Sequence, residues 1–208
     1  MIILAIESSS RIRSVAVVER SAASGAGEVL GMVSDGGSRD LTTVRLIEQA
    51  IRSSGVARRS IDRIAVALGP GSYTGIRAAI ALVQGWYLAQ PVELVGVGTA
   101  ECLVAQARAL GWHGRLAVVL DAQRGQCYHA VYEVDASACV LKVPLAIREP
   151  GVDPIEAGPV DLHVGPDVQK FFSHGKTLVP EAGTLGKLAA ECPEVVLPGG
   201  LTPIYLRE

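Results

Sequence analysis

Hydrophobic residues along the chain alternate between short unbroken runs and longer stretches with helical spacing. The run at 2–6 stops at a polar turn that begins with Glu7, and continuous apolar runs of this length predict a strand covered on both faces. β-Branched residues predict a second strand over 14–19, and a third strand is predicted over 29–34. Three strands joined by short connections predict a meander that opens the chain.

Helices and strands are predicted to alternate after this meander. The first helix is predicted from about 41 to 54, with Asp40 as its cap and Gly55 as its stop, and a strand is predicted over 64–68. Ser72 is the predicted cap of a second helix, which is apolar nearly all round and must therefore be covered on every side. The remaining predicted elements of this half are the end of the second helix near 89, a strand over 92–97 and a helix over 99–110.

The pattern then restarts in the second half. A strand over 116–121 ends in Asp121 as the opening strand ends in Glu7, and further strands are predicted over 128–133 and 140–147. This order predicts an α/β fold made of two tandem βββ-αβα units, of which the second is shortened. The predicted domains are an N-terminal lobe, 1–110, and a smaller C-terminal lobe, 111–208, with a tail that is able to pack back on the first.

Composition narrows the class of protein. The chain is 49% hydrophobic and 19% charged, which excludes a disordered chain. Its 19 Lys and Arg against 21 Asp and Glu leave no basic stripe, so strong direct binding of nucleic acid is not expected. Four cysteines without a C-x-x-C pair, and four histidines without ligand spacing, predict no metal site. The sequence shows neither the basic start of a signal peptide nor an apolar stretch long enough to span a membrane, so a cytoplasmic protein is expected.

Two polar turns are the candidates for chemistry. The loop at 69–75, with Gly69, Gly71 and Ser72, lies between a strand and a helix, where backbone N–H groups can hold a phosphate. Its spacing is neither the dinucleotide fingerprint nor a Walker A loop, so a tight turn with a helix cap is favoured. The turn Glu7, Ser8, Ser9 is interpreted either as a magnesium and phosphate contact or as a plain hairpin turn. Asp121 heads the matching turn of the second half.

Five segments, spread in order along the whole chain, carry a family resemblance: LAIESS at 4–9, GPGSYTGIR at 69–77, LVGV at 94–97, LDAQRG at 120–125 and PIYLR at 203–207. Together they resemble the bacterial TsaB (YeaZ) family. The resemblance implies a fold like that of actin, Hsp70 and sugar kinases, with two duplicated lobes. It also implies an accessory subunit, without catalytic residues or cofactors of its own, for threonylcarbamoyl transfer to the adenosine beside the tRNA anticodon. The catalytic paralogue, TsaD, is expected to hold ATP and metal, and a small ATPase, TsaE, to join the complex.

The family's partner contact is similar to a helix bundle made from the first two helices. Both predicted helices carry more apolar surface than one sheet can bury, and a homodimer through the same patch is expected when no partner is present. The residues expected to bind the partner are Leu41, Val44, Ile47, Ile51, Ile76, Ile80, Val83 and Tyr87.

The chain also departs from its relatives. The catalytic paralogue has paired metal-binding histidines after the fifth strand, whereas residues 98–102 here contain none. Glu7 stands where the family usually has aspartate. The alternative hypothesis is an autonomous ATP-dependent phosphotransferase of the same fold, with Glu7 and Asp121 as its carboxylates. A peptidase is disfavoured, because the sequence has no local signature of a nucleophile and its base.

Overall fold

A computed structural model describes residues 1–36 and 42–206 of the chain. Its first sheet has the strand order β3-β2-β1-β4-β5. β1 pairs antiparallel with β2 and parallel with β4, so the opening meander is extended by parallel strands. The strands of this sheet are β1 (Ile2–Glu7), β2 (Ser14–Arg20), β3 (Gly27–Ser34), β4 (Arg63–Gly69) and β5 (Glu93–Gly98).

The second sheet repeats this arrangement. Its order is β10-β9-β6-β7-β8, so in each sheet the first strand of the set lies between the second and the fourth. The antiparallel and parallel pairings recur at the same places, which confirms the predicted duplication. The strands are β6 (Gly114–Asp121), β7 (Cys127–Val134), β8 (Cys139–Arg148), β9 (Leu162–Gly165) and β10 (Lys176–Thr177).

Four α-helices lie within the described residues: α1 (Thr43–Ser54), α2 (Tyr73–Ala89), α3 (Thr99–Ala109) and α4 (Ala182–Glu191). Ser72 caps α2 as predicted, since its hydroxyl accepts the Gly75 N–H. Thr42 caps α1, whereas the predicted cap, Asp40, lies outside the described residues. Between β8 and β9 the described chain has only a 3₁₀ turn, Ile155–Ala157, and this is where the second copy is shortened.

The chain divides into two compact units that interleave along the sequence. One unit contains the first sheet, α1, α2 and the late segment 181–204, and the other contains the second sheet and α3. The grouping assigns α3 to the second unit, whereas that helix lies within the predicted N-terminal lobe, 1–110. Within the described residues, no helix combines the length and the apolar character that a bilayer crossing requires.

Small residues explain why α4 packs on the first sheet although it follows the second in the chain. A Cβ at Gly186 would press on Val18, so the helix backbone lies close to β2. Arg63, only 7% exposed, then ties α4 to the strands. Its guanidinium pairs with Glu93 at 2.6 Å and donates to the carbonyls of Ala189 and Cys192, at the end of the helix.

Candidate functional site

An apolar groove of about 470 Å³ runs between α1 and α2 in the first unit. From α1 it is lined by Val44, Ile47, Glu48 and Ile51. Arg58 also lines it, with its guanidinium 4.4 Å from the centre of the Trp86 ring. The groove is thus a largely hydrocarbon surface that carries one acidic side chain, Glu48, and one basic side chain, Arg58. Its α2 wall consists of Ala78, Ala81, Leu82, Val83, Gly85 and Trp86.

The side chains expected to bind a partner occupy different depths. Val44 is 46% exposed, and Ile51 and Tyr87 are half-buried. Ile47 and Val83 are buried in the core of the first unit while they also line the groove floor. Three do not line the groove: the core residues Ile76 and Ile80, and Tyr87, which packs against the core. Leu41 lies outside the described residues.

Small side chains form the open wall of the groove. Ala78, Ala81 and Gly85 are exposed and recur at helical spacing, so they share one face of α2. A Cβ at Gly85 would meet no atom within 4 Å, which shows that the chain leaves this position open. The signal in the sequence was this spacing of small residues, because a helix can approach another closely only where side chains are short.

The second candidate site is the turn after β1, where the structure places Glu7, Ser8 and Ser9 together in the interior. Glu7 has no exposed surface, and its Oε1 accepts the Ser9 N–H at 2.6 Å. Its Oε2 and the Ser8 hydroxyl have no hydrogen-bond partner among the described residues. Burial raises the pKa of the Glu7 carboxyl to about 7. At neutral pH this carboxyl is therefore only about half ionised, and its protonated form is a poor ligand for a hard cation such as Mg²⁺.

The glycine loop packs directly on this turn. The Ser72 N–H donates to the Ser9 carbonyl at 2.6 Å, so this backbone donor is already used within the chain. Gly71 and Gly75 are required because a Cβ at either would overlap a backbone carbonyl oxygen, that of Ser9 or that of Ser8. A Cβ at Gly69 would press on the Ile76 side chain instead, and the φ of +95° at this position favours glycine. The loop is therefore packed against its own hairpin turn, an arrangement typical of a tight turn with a helix cap.

Asp121 belongs to the other compact unit and repeats one detail of the Glu7 turn. Its Oδ1 accepts the N–H of Gln123, two residues on, as Glu7 accepts from Ser9. The environment differs, because Asp121 is partly exposed and its Oδ2 lies 3.3 Å from the Lys170 ammonium. The duplicated turns thus share a hydrogen bond while one carboxyl is buried and the other is paired with a cation.

Comparisons with known proteins show which family has this architecture. Residues 40–149, more than half of the chain, match the family model described as "TsaD: tRNA N6-adenosine threonylcarbamoyltransferase". The tRNA threonylcarbamoyladenosine biosynthesis protein TsaB of Escherichia coli is 30% identical over 90 residues, 43% of this chain and 39% of that protein. The protein of the same name from Bacillus subtilis is 33% identical over 89 residues, 42% of this chain and 37% of that protein. The chain belongs to the TsaB (YeaZ) family.

A solved structure extends the likeness over the full chain. The Pseudomonas aeruginosa protein described as similar to peptidase YEAZ has a TM-score of 0.82 and 25% identity, and the match covers 99% of both chains. By contrast, the chain spans about two fifths of the length of the two curated TsaB relatives. The TsaB (YeaZ) fold, with its duplicated βββ-αβα units and shortened second half, is therefore shown over nearly the full length of the chain.

Proposed function

We propose that this chain is a non-catalytic accessory subunit in the biosynthesis of tRNA threonylcarbamoyladenosine, and that it acts by binding a larger, TsaD-like catalytic paralogue. The observation that carries the proposal is the open apolar groove between α1 and α2. Membership of the TsaB (YeaZ) family supports the pathway, and the names of the curated relatives state it for those proteins.

The groove suits a helical, apolar partner surface. Its floor is formed by core side chains such as Ile47 and Val83, which hold it rigid, while Val44 at the rim is 46% exposed. The short side chains of Ala81 and Gly85 let a partner helix approach α2 closely. We expect α1 and α2 to form a helix bundle with the catalytic paralogue. When the paralogue is absent, we expect a second copy of this chain to occupy the groove.

The turn that would hold a nucleotide supports a non-catalytic role. The Glu7 carboxyl has no exposed surface, and the Ser72 N–H is already bonded to the Ser9 carbonyl. ATP and metal are accordingly expected on the partner subunits, including the TsaE-like ATPase, in the cytoplasm. The alternative, an autonomous phosphotransferase, requires this turn to open toward Mg-ATP.

The test is a binding titration between this chain and the TsaD-like paralogue of the same organism. Val44→Glu places a charge on the exposed rim of the groove and should weaken binding by about 2 kcal/mol, or roughly thirtyfold. Gln49→Glu is the matched control, because it adds the same charge at an exposed position of α1 that does not line the groove. Circular dichroism checks that both variants fold.

Unchanged affinity of a folded Val44→Glu variant would remove the groove from the interface. A lack of any complex with the wild-type chain would overturn the accessory role itself. Titration of Mg-ATP into the isolated chain distinguishes the accessory role from the alternative. Micromolar binding, about −8 kcal/mol, that is lost in Glu7→Gln would favour an autonomous phosphotransferase.

A further inference from the structure

Two histidines and one aspartate of the second unit converge on a single point. The Nε2 atoms of His129 and His163 lie 3.1 and 2.8 Å from the same oxygen, Oδ1 of Asp153. All three ligand atoms lie within 4.8 Å of one another, and within residues 1–36 and 42–206 no other set of three such side chains converges in this way. The spacing of histidines along the sequence does not show this cluster, because it depends on the order of the strands.

The sheet fixes the two imidazoles in place. His129 on β7 pairs with Val119 of β6, and His163 on β9 pairs with Ala117 of the same strand. Because positions two apart on a strand share a face, both rings rise from the same side of the sheet, one on each side of β6. Phe172 stacks on His163 with ring centroids 3.9 Å apart and an interplanar angle of 15°, so packing restricts that ring as well.

We propose that His129, Asp153 and His163 bind a divalent transition-metal ion, with Zn²⁺ as the ion that suits them best. Two imidazole nitrogens and one carboxylate oxygen are a donor set that zinc takes in proteins, with a fourth position left for water or another ligand. The cluster is reachable, since the Asp153 side chain is 30% exposed and lies in the loop before Pro154, whereas His129 is fully buried. This site is independent of the groove and of the proposed function.

The surroundings bear on the affinity. Arg148 lines the same surface pocket as Asp153, but it is paired with Glu156 at 2.9 Å, which offsets its repulsion of a metal ion. The Nδ1 of His129 has no hydrogen-bond partner among the described residues. Loss of such an outer partner typically weakens a metal site by about 10–100-fold, so we expect a dissociation constant on the order of micromolar rather than that of a closed structural zinc site.

The experiment uses the full chain without a histidine tag, dialysed against Zn²⁺ and analysed for bound metal by mass spectrometry. We expect one zinc ion per chain, and at least about tenfold weaker binding in Asp153→Asn and in His163→Gln, because each removes one of three ligands. His174→Gln is the matched control, since His174 is exposed and lies outside the cluster. A visible absorption band of bound Co²⁺ that is lost in the same two variants would identify the ligands directly.

Equal zinc binding by the wild type and both ligand variants would overturn the proposal, because the metal would then sit on the cysteines or elsewhere. Zinc binding weaker than millimolar by the wild type would overturn it as well. Circular dichroism monitors the fold; if His163→Gln unfolds, the outcome rests on Asp153→Asn, whose side chain lies on a loop.

Discussion

Replacing Glu7 by glutamine should change how the stability of this chain depends on pH. Burial raises the pKa of the Glu7 carboxyl from its ordinary value of 4.5 to about 7. Between these values the folded state keeps a proton that the unfolded state has released, so the free energy of unfolding falls as the pH rises through this window. One pKa unit corresponds to about 1.4 kcal/mol, and the full loss above the window is therefore about 3 kcal/mol.

Urea unfolding followed by circular dichroism measures this effect between about pH 5 and pH 8. Glu7→Gln should gain about 2–3 kcal/mol relative to the wild type over that range, because the variant has no proton to release at this position. Glu19→Gln is the control, since Glu19 is an exposed residue of the neighbouring strand β2. A difference between wild type and Glu7→Gln that is constant with pH, or one that grows in favour of the wild type, would refute the reasoning.

Substitutions at three positions test the backbone around the two candidate sites by thermal or urea unfolding. Gly85→Ala should stabilise the chain by up to about 1 kcal/mol, because the new Cβ meets open space and alanine is the better helix former; a lowered melting temperature would contradict this. Gly71→Ala should cost several kcal/mol or abolish folding, because its Cβ would overlap the Ser9 carbonyl; a neutral result would show that the loop does not pack on the turn. Ser72→Ala should lower the free energy of unfolding by about 1 kcal/mol, because α2 loses its cap. Ser72→Asp should lower it by much less, because aspartate also caps helices.

Local elements could be predicted from the sequence because their signals are local. Ser72 caps α2 where expected, and the buried run of β1 ends at Glu7, since capping and apolar runs depend only on neighbours in the chain. The direction in which α2 faces could not be predicted. That helix is apolar nearly all round, so its pattern did not distinguish the core residues Ile76 and Ile80 from those that line the groove.

Features that depend on strand order and on distant packing lay beyond sequence reasoning. His129 and His163 meet only because β7 and β9 both border β6. The burial of Glu7 likewise follows from the glycine loop of a later segment covering its turn. Neither the histidine cluster nor the burial of Glu7 leaves a periodic signal in the sequence. The repeated strand pattern does leave one, and the duplication could therefore be predicted.

The bonds from Arg63 to the end of α4 have a consequence for the order in which the chain folds. The second unit is formed by one nearly continuous stretch, 99–180. The first sheet, by contrast, is covered by α4 only when residues 181–204, which follow that whole stretch, pack against it. Contacts across so long a loop carry a larger entropic cost and form slowly. We expect pulsed hydrogen exchange during refolding to protect amides of β6 and β7 before those of α4. If α4 were protected first, late closure of the first unit would be wrong, and Arg63 would join segments that meet early in folding.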